Sequence, residues 1–199
     1  MDSTTATLIG AIVVMVIFSA YFSATETAFS SLNKIRLRSK AEAGDSRAAL
    51  TLSIADEYDR MLSTILIGNN IVNITASTLG TVLFTRLFDA YGPTISTVVL
   101  TVVVLIFGEI SPKSIAKESP ERFAMWASPL LRVLLVILRP LNFLFSQWKR
   151  LLSHIIRPAD GEGITEDELI TMVSEAENEG GLDQHASQLI RSAIEFGDL

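Results

Sequence analysis

Three long runs of this sequence contain no charged side chain: Ser3 to Thr25, Met61 to Thr85 and Ala90 to Gly108. A helix needs about 20 apolar residues to cross the hydrocarbon core of a bilayer. One such run fits a buried helix in a soluble protein, but three within 199 residues point to a chain that crosses a membrane repeatedly. In lipid the backbone must satisfy its own hydrogen bonds, so the spans are helices. The expected fold class is an all-α integral membrane protein with three transmembrane helices, juxtamembrane helices and a small cytoplasmic helical hairpin. The spans are expected at about residues 8–32, 61–84 and 94–115.

Charge sets the expected orientation. Lys34, Arg36, Arg38 and Lys40 follow the first span directly, which by the positive-inside rule places that end in the cytoplasm and the N-terminus outside. The N-terminal flank MDSTTAT is acidic and its apolar run exceeds a signal-peptide core, so an uncleaved span is expected. Residues 41–60 read as an amphipathic stretch with a break at Gly44-Asp45, and Gly92-Pro93 marks the turn into the third span. Residues 123–156 are apolar but interrupted by Pro129 and Pro140 and studded with Arg132 and Arg139. A fourth crossing would carry Lys149 and Arg150 outside, so two interfacial or re-entrant helices are expected there.

The domain division is expected at residues 157/158. Beyond it, residues 159–199 hold eleven acidic side chains against one basic, Arg191, while the remainder carries a net charge of +4. Two soluble helices are expected in this acidic segment. Thr165 with Glu168 forms a capping box, Gly180-Gly181 ends the first helix and Asp183 caps the second. The chain stops at Leu199 without a closing element, which implies that more protein followed.

Polar residues inside the spans are where chemistry is expected. Ser19, Ser23, Glu26 or Thr27, and Ser30 recur at three- and four-residue spacing on one face of span one. Asn69 and Asn73 share a face of span two, with Asn70 about 100° away. Span three ends in Gly108-Glu109-Ile110-Ser111-Pro112-Lys113. Pro112 offers no N–H to the carbonyl of Gly108, and such irregular backbone is tolerated in lipid only against protein or a water-filled cavity. Two bland alternatives stand beside a site. The small residues can serve helix packing alone, and Glu109 can pair with Lys113 at the interface while Pro112 ends the span.

Hydroxyls, amide oxygens, a carbonyl and one carboxylate are hard ligands, suited to Mg2+ or Na+ and not to a soft metal. There is no cysteine, and His154 and His185 are isolated, so no zinc pattern or nucleophilic triad is visible and an enzyme is not expected. No EF-hand spacing accompanies the acids, and no basic cluster with a reading motif points to nucleic acid. The readings left open are an ion transporter and a non-transporting scaffold or ion-sensing regulatory protein.

FSAYFSATETAFSSL, LIGNNIVN and FGEISPK, in that order, resemble the three signature segments of the CorB/CorC and cyclin M (CNNM) magnesium transporter family, in its transmembrane domain, also called DUF21. The likeness covers about residues 5–155, and residues 160–199 resemble the acidic helical bundle that leads to a pair of CBS modules. The resemblance implies a homodimer in the bilayer, multi-pass in the inner membrane, with three spans per subunit. It implies Mg2+ export, with exchange against Na+ proposed for some members, and ATP-Mg2+ bound by CBS modules that would begin after Leu199. Its ion site maps to Ser19 and Ser23, to Asn73 with Asn69 or Asn70 nearby, and to Gly108 and Glu109. Glu26, Pro112 and Lys113 support that site.

Overall fold

A computed structural model of the chain describes residues 2–155, 166–178 and 181–196. Every regular element among the described residues is helical. In order these are α1 (Ser3–Ser31), α2 (Lys34–Glu42), α3 (Ser46–Asp56), α4 (Tyr58–Phe88), a 3-10 turn (Asp89–Tyr91), α5 (Gly92–Val103), a π-helical segment (Val104–Ile110), α6 (Ser111–Glu118), α7 (Pro120–Ile137), α8 (Arg139–Ile155), α9 (Glu166–Asn178) and α10 (Gln184–Phe196). The chain forms two compact units, Met1–Gln147 and Trp148–Leu199.

The first unit is organised around α1. Its opening turns expose Ile9, Val13, Val14, Ile17 and Phe18, as a lipid-facing helix does. From Ser19 onward almost its whole circumference is buried, including Tyr21, Phe22, Ser23, Ala24, Thr25, Ala28 and Phe29. A helix covered on all sides is a central post, and its neighbours must supply matching surfaces. Gly68 of α4 does so, since a Cβ there would enter the Phe22 ring.

Two stretches are long and apolar enough to cross a membrane: Ser3–Ser31, mean hydropathy 2.2, and Tyr58–Glu118, mean hydropathy 2.1. The second folds back on itself. Gly80 lies against Leu100, and Gly92 against the backbone of Thr85, so α4 and α5 pack antiparallel. The stretch is therefore two arms, α4 and the continuous run α5–π–α6, which makes three spans with α1. Two backbone features make the reversal. Asp89 takes a φ of 46°, and Gly92 sits where any Cβ would strike Thr85.

The juxtamembrane elements are pinned by side chains. Asn33 caps α2 through the N–H groups of Ile35 and Arg36, and Asp45 caps α3 through those of Arg47 and Ala48. The break between them falls at Gly44, whose φ is 95°. Tyr21 donates its hydroxyl to the Ala127 carbonyl at 2.9 Å, and the hydroxyls of Thr51 and Ser128 lie 2.7 Å apart. Asn142 of α8 donates to Thr64 of α4 at 2.7 Å. Pro129 does not interrupt α7, contrary to expectation; it lies inside the helix. Pro140 falls in the first turn of α8, where an N–H is not needed, and the axis bends there by 70°.

In the second unit, α9 and α10 form the expected pair of helices. Asp183 accepts from the Ala186 N–H at 2.7 Å, as a cap should. The N–H groups of Gly181 and Leu182 close on the Ala176 carbonyl. Thr165 and Gly180 of the expected cap and break lie outside the described residues. Glu177 accepts from Ser187 at 2.6 Å and from Arg191 at 3.3 Å, tying the two helices together through polar groups.

Candidate cation site

α1, α4 and the π segment meet at a ring of small polar groups. The Ser19 hydroxyl, fully buried on α1, donates to Asn69 Oδ1 on α4 at 3.2 Å. Asn73, one turn further along α4, donates its amide to the same oxygen at 3.4 Å. Gly108 closes the ring from the third arm: a Cβ there would stand 2.9 Å from Ser19 Oγ and 3.3 Å from Ser19 Cβ. Glycine at this position is therefore what lets the third arm approach the serine.

Ser23 Oγ, one turn beyond Ser19 on α1, and Asn73 Oδ1 on α4 are each buried without a hydrogen-bond partner. Buried polar atoms are nearly always paired, so each of these oxygens is a candidate ligand. Glu109, next to Gly108 on the π segment, is half-buried and makes no ion pair among the described residues. Its expected alternative partner, Lys113, lies instead 3.7 Å from Glu26 Oε2 on α1. That removes the interfacial Glu109–Lys113 pair as the reason for the carboxylate. No group of three or more His, Cys, Asp or Glu placed to hold a metal ion occurs among the described residues.

The π segment accounts for Pro112. In a regular α-helix the Gly108 carbonyl addresses the N–H of residue 112, which proline lacks. In the wider π register each carbonyl addresses a donor five residues on, and the Ser111 N–H indeed bonds the Ile106 carbonyl. The segment also shifts the phase of the arm, which turns Gly108 onto Ser19 while Lys113 reaches Glu26.

Not every expected residue joins the ring. Asn70 is exposed on the other side of α4 and donates back to the Leu66 carbonyl at 2.9 Å. A cavity of about 260 Å³ is lined by Asn73 and Ser77 of α4 and, among its other polar groups, by Thr97 and Thr101 of α5. The signal for it was present: Asn73 and Ser77, like Thr97 and Thr101, are four apart on facing helices.

Three apolar arms around a buried polar ring define a multi-pass membrane protein. The chain belongs to the cyclin M transmembrane N-terminal domain family, which matches residues 10–186. It is 38% identical over 187 residues to a UPF0053 protein of Haemophilus influenzae, covering 92% of this chain and 44% of that one. It is 39% identical over 165 residues to the UPF0053 inner membrane protein YfjD of Escherichia coli, covering 81% of this chain and 39% of that one. A polyamine export protein of Haemophilus influenzae is 24% identical over 201 residues, covering 94% of this chain and 46% of that protein. The chain thus spans less than half the length of these relatives. At the level of the family, the association is with Mg2+ transport.

Proposed function

We propose that this chain is the membrane domain of a Mg2+ transporter. In this reading it exports Mg2+ across the inner membrane, with Na+ as the coupling ion. The observation that carries the reading is the convergence of Ser19, Asn69, Asn73 and Gly108 from three arms, with Ser23 Oγ and Asn73 Oδ1 buried and unpartnered. Hard neutral oxygens with one carboxylate suit a small hard cation. A single charge offsets a divalent ion only partly, so the ion can leave, as transport requires. Ser19, Ser23, Asn73, Gly108 and Glu109 are the proposed ligands, with Asn69 orienting them and Pro112 setting the backbone. The proposed arrangement is a homodimer with the N-terminus outside. Residues 1–157 lie in the membrane, and the acidic helices of residues 158–199 lead in the cytoplasm to a CBS pair.

Glu109→Gln tests the role of the carboxylate. It keeps shape and hydrogen bonding while removing the charge that compensates dehydration of the ion. Mg2+ flux in liposomes should fall nearly to zero, with an unchanged chromatographic profile. Near-normal flux from folded protein would sink the mechanism.

A second cargo is favoured by the name of the relative described as a polyamine export protein. The same liposomes loaded with spermidine separate the two: Mg2+ flux without spermidine flux supports the first reading, and the reverse supports the second. Flux of neither would leave the scaffold or ion-sensing alternative.

A further inference from the structure

The Glu26–Lys113 pair has no part in the ring. Lys113 follows Glu109 by four residues, the spacing at which a lysine meets a carboxylate on its own helix. Its ammonium nevertheless lies 3.7 Å from Glu26 Oε2 across the groove. Glu26 follows Ser19 by seven residues, two turns along the same face of α1. Ser23 stands between them with its buried hydroxyl unpartnered. Facing this row, the third arm presents Gly108 against Ser19 and Lys113 against Glu26. The row rises about 10 Å. Its inner end at Ser19 is fully buried, whereas the side chains of Lys113 and Glu26 are 43% and 33% exposed. A line of oxygens therefore connects the ring to the edge of the bundle, and a carboxylate held by an internal cation closes it.

We infer that Glu26 is a second, outer station for the transported cation, and that Lys113 is a tethered cation occupying this station until the ion arrives. The inference rests on the reading of the ring as a cation site and extends it. A half-exposed pair is weakly held and screened, so an incoming divalent ion displaces the ammonium readily. The lysine's flexible four-carbon stem lets it move aside and return. On this view Lys113 weakens binding at Glu26 by competition and keeps the entrance neutral between ions.

Calorimetric titration of the purified chain with Mg2+ provides the test, using the unsubstituted protein, Lys113→Met, Glu26→Gln and the double variant. Competition predicts that Lys113→Met tightens Mg2+ binding, by up to about fivefold for a pair of this exposure, and that Glu26→Gln weakens it. In the Glu26→Gln background the Lys113→Met effect should all but vanish, because the two residues act through each other. Equal tightening in both backgrounds means that Lys113 acts only through its general field, and the inference fails. No tightening means that the pair merely joins helices, and the inference again fails while the ring stands. Absence of binding to the unsubstituted protein up to about 10 mM Mg2+, beyond which binding is hard to assign to a site, overturns the reading of the ring and this inference with it. Melting temperature and chromatographic profile establish that each variant is folded.

Discussion

Gly108 illustrates how little room the ring leaves. An alanine there would place its Cβ 2.9 Å from Ser19 Oγ, closer than contact allows. The obstacle is the tip of a small side chain, so Ser19 can rotate away at a cost of about 1 kcal/mol. That rotation takes its hydroxyl from Asn69. Gly108→Ala should therefore lower the melting temperature by only a few degrees while weakening Mg2+ binding about tenfold or more, as measured by calorimetry. Unchanged affinity would show that the Ser19–Asn69 contact is not part of the site. Helical phase alone was enough to separate Asn69 and Asn73 from Asn70, because residues four apart share a face while a neighbour one position on lies about 100° round the helix. The partner of Lys113 was not legible. Spacing favoured Glu109, and only the approach of α1 makes Glu26 available.

The π segment is where reading by elements reached its limit. Pro112 announced an irregularity near Gly108, and the irregularity is there. Proline alone does not say whether the helix kinks, ends or widens, since all three avoid the missing N–H. The outcome depends on two tertiary contacts that require a shifted phase, Gly108 with Ser19 and Lys113 with Glu26. Pro112→Ala restores the donor and removes a residue unfavourable in helices by about 3 kcal/mol. Thermal stability should hold or rise, while Mg2+ affinity falls about tenfold as the arm relaxes towards a regular helix. A variant that binds Mg2+ normally would show that packing, and not the proline, maintains the widened turn. The three apolar arms were legible because runs free of charge have few alternatives. The ends of α7 were not, since Pro129 lies within the helix on its exposed face instead of ending it.

For the whole molecule, the proposed orientation is testable with unusual cleanness, because the chain contains no cysteine. Single cysteines at Ser3, Asp89 and Gln188 can be probed in intact cells with a membrane-impermeant reagent. With the N-terminus outside and three crossings, Ser3 labels from outside and Gln188 does not. Asp89, at the turn between α4 and α5, should also label from outside. Labelling at Gln188 equal to that at Ser3 would require a further crossing through α7 and α8. The bond between Ser19 and Asn69 has a bearing on synthesis as well. Both partners lie in the first two arms to leave the ribosome, 50 positions apart, so they can meet before Gly108 has been translated. Their pairing gives two polar groups a partner during the interval when hydrocarbon would otherwise surround them. The third arm then docks against a surface already assembled. The order of insertion thereby allows the site to begin assembling from its first two arms.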